Sequence, residues 1–292
     1  MSDVFGSLGD VGRLSIGAAL RFARLRAGLT GADLAKRAGM SQAKVSRLET
    51  GKSPADPVDV RTLAQAMGLP ADEAEALESL ATQTYERMTD WRAEPRGLPQ
   101  RQDEVGQLER QSSEIRVFNP SVIPGLLQTS SYARAVITTL ASMLAPESAG
   151  QDAGKNLVTT VSRRMSRQEI LASATKRFHF VITESVLGAG VGTPEDMIGQ
   201  LQQIRYLTGL PNVSLKILPA RSFVTVAPMH SFELLDRRAV IIDLFNTSMT
   251  AQSRSDIRLY HDLFERFDLA ATADVDALLD EYTEYYRRQV AV

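Results

Sequence analysis

Residues 30–52 read TGADLAKRAGMSQAKVSRLETGK, and the fold of the N-terminal part of the chain is decided by this stretch. Thr30 is placed to cap a helix, with Asp33 three residues on completing a capping box. Leu34, Ala35 and Ala38 form the apolar stripe of that helix. Gly39 follows, where a helix end commonly needs a residue able to take positive φ. Ser41 is placed to cap a second helix, Gln42 to Glu49, with Val45 and Leu48 facing inward. Gly51 ends it. Two helices this short bury too little on their own, so flanking helices must complete the core.

Between Arg13 and Lys52 stand nine Lys or Arg and two acids, a formal charge of +7 in a chain whose whole charge is −2. Positive charge is thus concentrated on this segment, as phosphate neutralisation requires. Two capped helices around a tight turn, with Gln42, Lys44 and Arg47 on the outer side of the second, have the layout of a helix-turn-helix. In that motif the second helix lies in the DNA major groove.

The 292 residues suffice for two domains of ordinary size, and an apolar content of 43% suits globular cores. With no cysteine, disulfides and thiolate metal sites are excluded, which agrees with a cytoplasmic setting. The opening MSDVFGSLGD lacks the basic start and apolar run of a signal peptide. No window approaches the roughly 20 apolar residues of a membrane span.

Read in order, residues 1–12 form a Gly- and Ser-rich flexible start. Residues 13–87 form a five-helix DNA-binding domain: Arg13 to Arg26, the two helices already described, Val58 to Met67 after Pro57, and an acidic helix opened by Pro70. Residues 88–102, with Pro95, Gly97 and Pro99 around Trp91, read as a linker in which Trp91 anchors apolar surface. Residues 103–292 read as a mixed α/β domain of about five strands flanked by helices. The strands are expected at 115–118, 177–183, 213–218, 231–235 and 239–245, the last two joined by a turn at Asp236, Arg237 and Arg238. Helices are expected at 103–113, from Thr129 or Ser130 to about Leu144, 155–172, 195–208, 253–269 and 273–289.

Catalytic signatures are absent. Gly188, Gly190 and Gly192 are spaced GxGxG rather than GxGxxG and read as a flexible turn. His179, His230 and His261 lack metal-ligand spacing, and no GxSxG occurs. Arg163, Arg164 and Arg167 read as a solvated basic helix face. The apolar run 223–229, FVTVAPM, reads as core or interface. No cofactor, metal or enzymatic activity is expected.

The string LA-x-x-A-G-x-S-x-x-x-V-S-R-L-E-x-G-K resembles the phage-repressor-like, xenobiotic-response-element class of regulators over about Leu14 to Leu80. The resemblance implies base contacts by Gln42, Ala43 and Arg47. It places Lys44, Thr50 and Lys52 near phosphates, Thr30 and Ser41 at the helix starts facing the DNA, and Arg24 with Glu49 as a structural ion pair. Gly31 stands where that class places a phosphate-clamping Gln. From about Glu114 to Ala270, the strings PGLLQT-x-x-YAR and R-x-x-RQ-x-IL resemble the uncharacterised C-terminal domain of WhiJ-like actinobacterial regulators. Members of that group are often encoded beside a small partner and have been likened to antitoxins.

The expectation is a cytoplasmic regulator that binds double-stranded DNA as a homodimer and is controlled through its C-terminal domain. Two alternatives stand beside it: an antitoxin-like protein that restrains a small partner protein and autoregulates, and a sensor of a small-molecule effector.

Overall fold

The computed structural model describes residues 15–51, 53, 55–85, 87–90, 97–144, 151–245 and 247–291. Segment 1–12, Lys52 and Trp91 therefore lie outside the described residues. The chain divides into two compact units. The first holds the described residues up to Arg87 together with Thr250–Asp256; the second holds Met88–Met249 and the residues from Ile257 on.

The first unit is built from α1 (Ile16–Arg26), α2 (Gly31–Arg37), α3 (Gln42–Glu49), α4 (Pro57–Met67) and α5 (Ala71–Tyr85). Each short helix is fixed at its ends by chemistry readable in the sequence. Asp56 caps α4 by accepting from the Val58 N–H at 2.9 Å, and Pro57 fills the first helical position, where its missing N–H costs no bond. The apolar stripes converge on one core that includes Leu20, Leu34, Val45, Leu48, Val60, Leu63 and Leu77. Gly17 lets α1 lie directly on the end of α3. A Cβ there would meet the Leu48 carbonyl oxygen at 2.7 Å and that of Glu49 at 2.8 Å. Both are backbone atoms that cannot swing away, so the close helix crossing depends on glycine.

Most of the sheet lies in the second unit. The sheet's strands are β1 (Arg87–Asp90), β2 (Glu114–Asn119), β3 (Arg177–Thr183), β4 (Val213–Leu218), β5 (Phe232–Leu235), β6 (Ala239–Asp243) and β7 (Thr247–Ala251). Their order is β1-β7-β6-β5-β2-β3-β4. β2, β3 and β4 run parallel, whereas β5 is antiparallel to β2 and to β6. The helices are α6 (Gly97–Gln111), α7 (Ser130–Leu144), α8 (Gln151–Arg167), the short α9 (Ser185–Gly188), α10 (Pro194–Thr208), α11 (Arg254–Ala270) and α12 (Asp276–Val290). Strand alternation sorts the residues. Ile115, Val117, Phe178, Phe180, Ile182, Leu215 and Ile241 join a core with Tyr132, Met197, Leu201, Ile204, Leu279 and Tyr286. On the opposite face Phe118 stacks on Phe267 of α11, with centroids 3.9 Å apart.

The PGLLQT-x-x-YAR string is a buried tie. Gln128 Nε2 donates to the Ile123 carbonyl at 2.7 Å, and the Tyr132 hydroxyl accepts from the Ile123 N–H at 3.1 Å. Gln200 then clamps the loop from α10, donating to the Leu127 carbonyl and accepting from the Thr129 N–H, both at 2.7 Å. These side chains satisfy a buried loop whose own backbone has no ladder partner.

Several sequence expectations change in detail. Two further strands, β1 and β7, extend the sheet beyond the five anticipated. α6 begins at Gly97, inside the stretch read as linker, because Pro99 falls in the first turn, where its missing N–H would in any case be unbonded. Phe223 and Met229, read as core or interface, are 103% and 85% exposed on the loop between β4 and β5.

Candidate nucleic-acid interface

The recognition element is assembled from its caps outward. Thr30 and Asp33 make the reciprocal capping box of α2: the Thr30 hydroxyl accepts from the Asp33 N–H, and the Asp33 carboxylate accepts from the Thr30 N–H, both at 3.1 Å. The Thr30 hydroxyl also donates to the Asp33 carboxylate at 2.5 Å, and this bond, followed by the one from the Thr30 N–H, holds the Asp33 carboxyl below the usual aspartate range. Gly39, at φ 64°, turns the chain out of α2, and the Ser41 hydroxyl starts α3 by accepting from the Lys44 N–H at 3.2 Å. Gly51, at φ 69°, releases the chain after α3.

Val45 and Leu48 are buried, so the opposite side of α3 faces out. Gln42, Ala43, Ser46, Arg47 and Thr50 are exposed along it. The Thr50 hydroxyl donates to the Ser46 carbonyl at 2.7 Å, tightening the last turn. Between α3 and the start of α2 lies a depression of about 310 Å³, lined by residues that include Arg21, Gly31, Gln42, Ser46 and Thr50.

The tilt of α3 is set by Arg24 of α1. Its Nε and Nη2 reach the two carboxylate oxygens of Glu49 at 2.6 and 2.9 Å, while Nη1 donates to the Leu29 carbonyl at 2.8 Å. The side chains are 11% and 8% exposed. Hydrogen bonding to Glu49 holds the guanidinium above its ordinary range against the opposing effect of burial. A carboxylate at a helix C-terminus opposes the helix dipole, so Glu49 depends on this cation.

Lys44 sits differently from the fully exposed row. Its ammonium is 2.8 Å from Asp59 Oδ1 and 2.7 Å from Oδ2, at the start of α4. Asp59 is a neighbour that local sequence patterns do not reveal, because 15 residues separate the two. Gly17 was also missed, although a glycine inside a helical pattern is a recognisable signal of close approach.

In the second unit, the basic trio divides. Arg163 pairs with Asp103, Arg167 is clamped on Glu109, and Arg164 donates to Gln128 Oε1 at 2.9 Å and Gln102 Oε1 at 3.3 Å. Burial, and then the neighbouring Arg167, bring the Arg164 guanidinium down to about 10. The trio is therefore largely a buried polar network rather than a solvated face. Gly188, Gly190 and Gly192 lie in and after the short α9, and Gly192 takes φ 79° in front of the Thr193 cap of α10. Among the described residues no group of three or more His, Cys, Asp or Glu is arranged to hold a metal ion, and no helix is long and apolar enough to cross a membrane.

Residues 15–77 match the family model of a helix-turn-helix domain, and residues 102–278 match that of a domain of unknown function, DUF5753. No curated protein and no solved structure matches the chain.

Proposed function

We propose, from the premise that this chain belongs to the DUF5753 family and carries a helix-turn-helix domain, that it is a sequence-specific transcriptional regulator of the xenobiotic-response-element type with a WhiJ-like C-terminal domain. The helix-turn-helix makes it a DNA-binding regulator; the finer assignments are ours. Gln42, Ala43 and Arg47 read base edges, while Thr50, Lys52 and Lys44 face phosphates, with Thr30 and Ser41 at the helix starts beside the backbone. A single short recognition helix contacts few base pairs, so the chain acts as a homodimer on a two-fold-related site. The observation that carries this reading is the exposed row on α3, rigidly seated by Arg24 and Glu49.

Arg47→Ala tests it. Loss of a bidentate base contact weakens specific binding by about 1–3 kcal/mol and leaves random-duplex binding nearly unchanged. Fluorescence anisotropy on selected and scrambled duplexes separates the cases. Equal loss on both would reduce Arg47 to a phosphate contact.

For the C-terminal unit, a protein partner is the better supported means of control, as in the antitoxin-like reading. Phe223, Met229 and Phe245 present exposed apolar side chains, at 103%, 85% and 75%, that a protein partner could cover. Leu279 and Tyr286 of the final helix are buried in the unit's own core, which argues against that helix as the dimer contact. Native mass spectrometry of chain purified gently from its host is expected to show an added polypeptide of several kilodaltons. An added mass of a few hundred daltons would instead favour the small-molecule effector.

A further inference from the structure

Lys44 does not stand free beside the exposed row of α3; both oxygens of Asp59 hold its ammonium, at 2.8 and 2.7 Å. Asp59 lies in the first turn of α4, where the helix dipole favours a carboxylate, and its side chain is 7% exposed. The same carboxylate has a second cation. Arg254 Nη2 donates to Asp59 Oδ2 at 2.9 Å, from a side chain that is 56% exposed. The Arg254 backbone N–H donates to Asp56 Oδ2 at 3.0 Å, and the other oxygen of Asp56 caps α4. Ser253, the residue before, accepts from the Asp256 N–H at 3.1 Å and starts α11. The segment Thr250–Asp256 is thus part of the first unit, seated on the beginning of α4, while the chain on either side continues into β7 and α11.

We propose that Asp59 is a positioning residue for Lys44 and that Arg254 sets how tightly Asp59 holds it, so that the seating of residues 250–256 tunes the affinity of the helix-turn-helix for duplex DNA. This rests on the DNA-reading function proposed above. Lys44 and Arg254 together offset the carboxylates of Asp56 and Asp59; without Arg254 the remaining three groups carry a net −1. A phosphate approaching α3 competes with Asp59 for the Lys44 ammonium. Arg254 weakens that competitor by occupying one of its oxygens and offsetting its charge. Displacing either β7 or the start of α11 withdraws the second cation, and Asp59 then holds Lys44 alone. A change elsewhere in the chain is thereby converted into a change of charge at the recognition helix, with no movement of α3.

The full-length chain and its Arg254→Ala, Arg254→Lys, Asp59→Asn and Asp59→Asn/Arg254→Ala variants are titrated against the duplex the wild type selects, across a range of salt. Arg254→Ala is expected to bind up to about five-fold more weakly, the range of a partly exposed ion pair. Its log-log salt slope should be shallower by up to about 0.9, the value of one phosphate contact. Arg254→Lys keeps the cation and stays close to wild type. Asp59→Asn removes the competitor, binds at least as tightly as wild type, and abolishes the effect of Arg254→Ala. An Arg254→Ala chain with wild-type affinity and slope would overturn the proposal. So would an equal loss in the Asp59→Asn background, or an Arg254→Lys chain as weak as the alanine variant. A wild-type chain that selects no duplex would overturn the DNA-reading function itself, which is a distinguishable result.

Discussion

Arg24→Ala is expected to destabilise the first unit by about 3–5 kcal/mol, the range for removing one partner of a buried ion pair. The attraction between Arg24 and Glu49 is only part of this. The loss strands the Glu49 carboxylate, 8% exposed, at the C-terminal end of α3, where the helix dipole already opposes it. The Leu29 carbonyl loses its donor as well. Glu49→Ala strands the guanidinium instead and should cost a similar amount. Replacing both, as Arg24→Met with Glu49→Leu, leaves no uncompensated charge and recovers much of the loss. Because the chain has two units, a single melting temperature mixes their contributions. Amide hydrogen exchange in peptides covering α1 and α3 is the appropriate readout. A loss below about 1 kcal/mol would mean that the pair behaves as a solvated surface contact.

Arg167→Ala should do comparable damage in the second unit. Arg167 is 9% exposed and Glu109 fully buried. The guanidinium reaches both Glu109 oxygens, at 2.8 and 2.5 Å, and donates to Gln102 Oε1 at 2.6 Å. Burial first, and then the charge of Glu109, hold the nearby Glu233 carboxyl well above the ordinary glutamate range. Arg167 is the cation that balances Glu109. Its removal is expected to cost about 3–5 kcal/mol. Arg167→Lys should restore little, since a single ammonium cannot reproduce a bidentate clamp together with a third bond. The check is amide exchange in peptides from α6 and α8. Unchanged protection there would show that the clamp contributes nothing to the stability of the unit.

Much of the first unit was legible because its determinants are local. Thr30, Asp33, Gly39, Ser41, Gly51 and Pro57 act within a few residues of themselves, and the structure uses each at a helix boundary. The hairpin turn at Asp236 was legible for the same reason. Its φ of 53° is one that Asp tolerates, and its carboxylate accepts from the Ser113 and Glu114 N–H groups, at 2.9 and 2.8 Å.

What escaped the sequence depends on distant partners. Helical spacing puts Arg163 and Arg167 on one side of α8, but nothing local states that Glu109 and Asp103 of α6 lie opposite. The same holds for Asp59, which is read only once Lys44 and Arg254 are seen around it. β7, with the sequence TSMTA, lacks the alternation of apolar residues that marks a half-buried strand, so its place in the sheet rested on neighbours rather than on its own pattern. Of the two readings of the run 223–229, the core reading fails, because apolar character alone does not determine burial, and Phe223 and Met229 are exposed on their loop.

The most direct test of the central claim is selection from a pool of random-sequence duplexes by the full-length chain, followed by methylation interference on the enriched pool. The account predicts one enriched motif with two-fold symmetry, its half-sites about one helical turn or a multiple apart, and interference at major-groove guanine N7 atoms that weakens in Arg47→Ala. A pool that stays unenriched at every salt concentration, or an enriched motif read identically by wild type and Arg47→Ala, would contradict it.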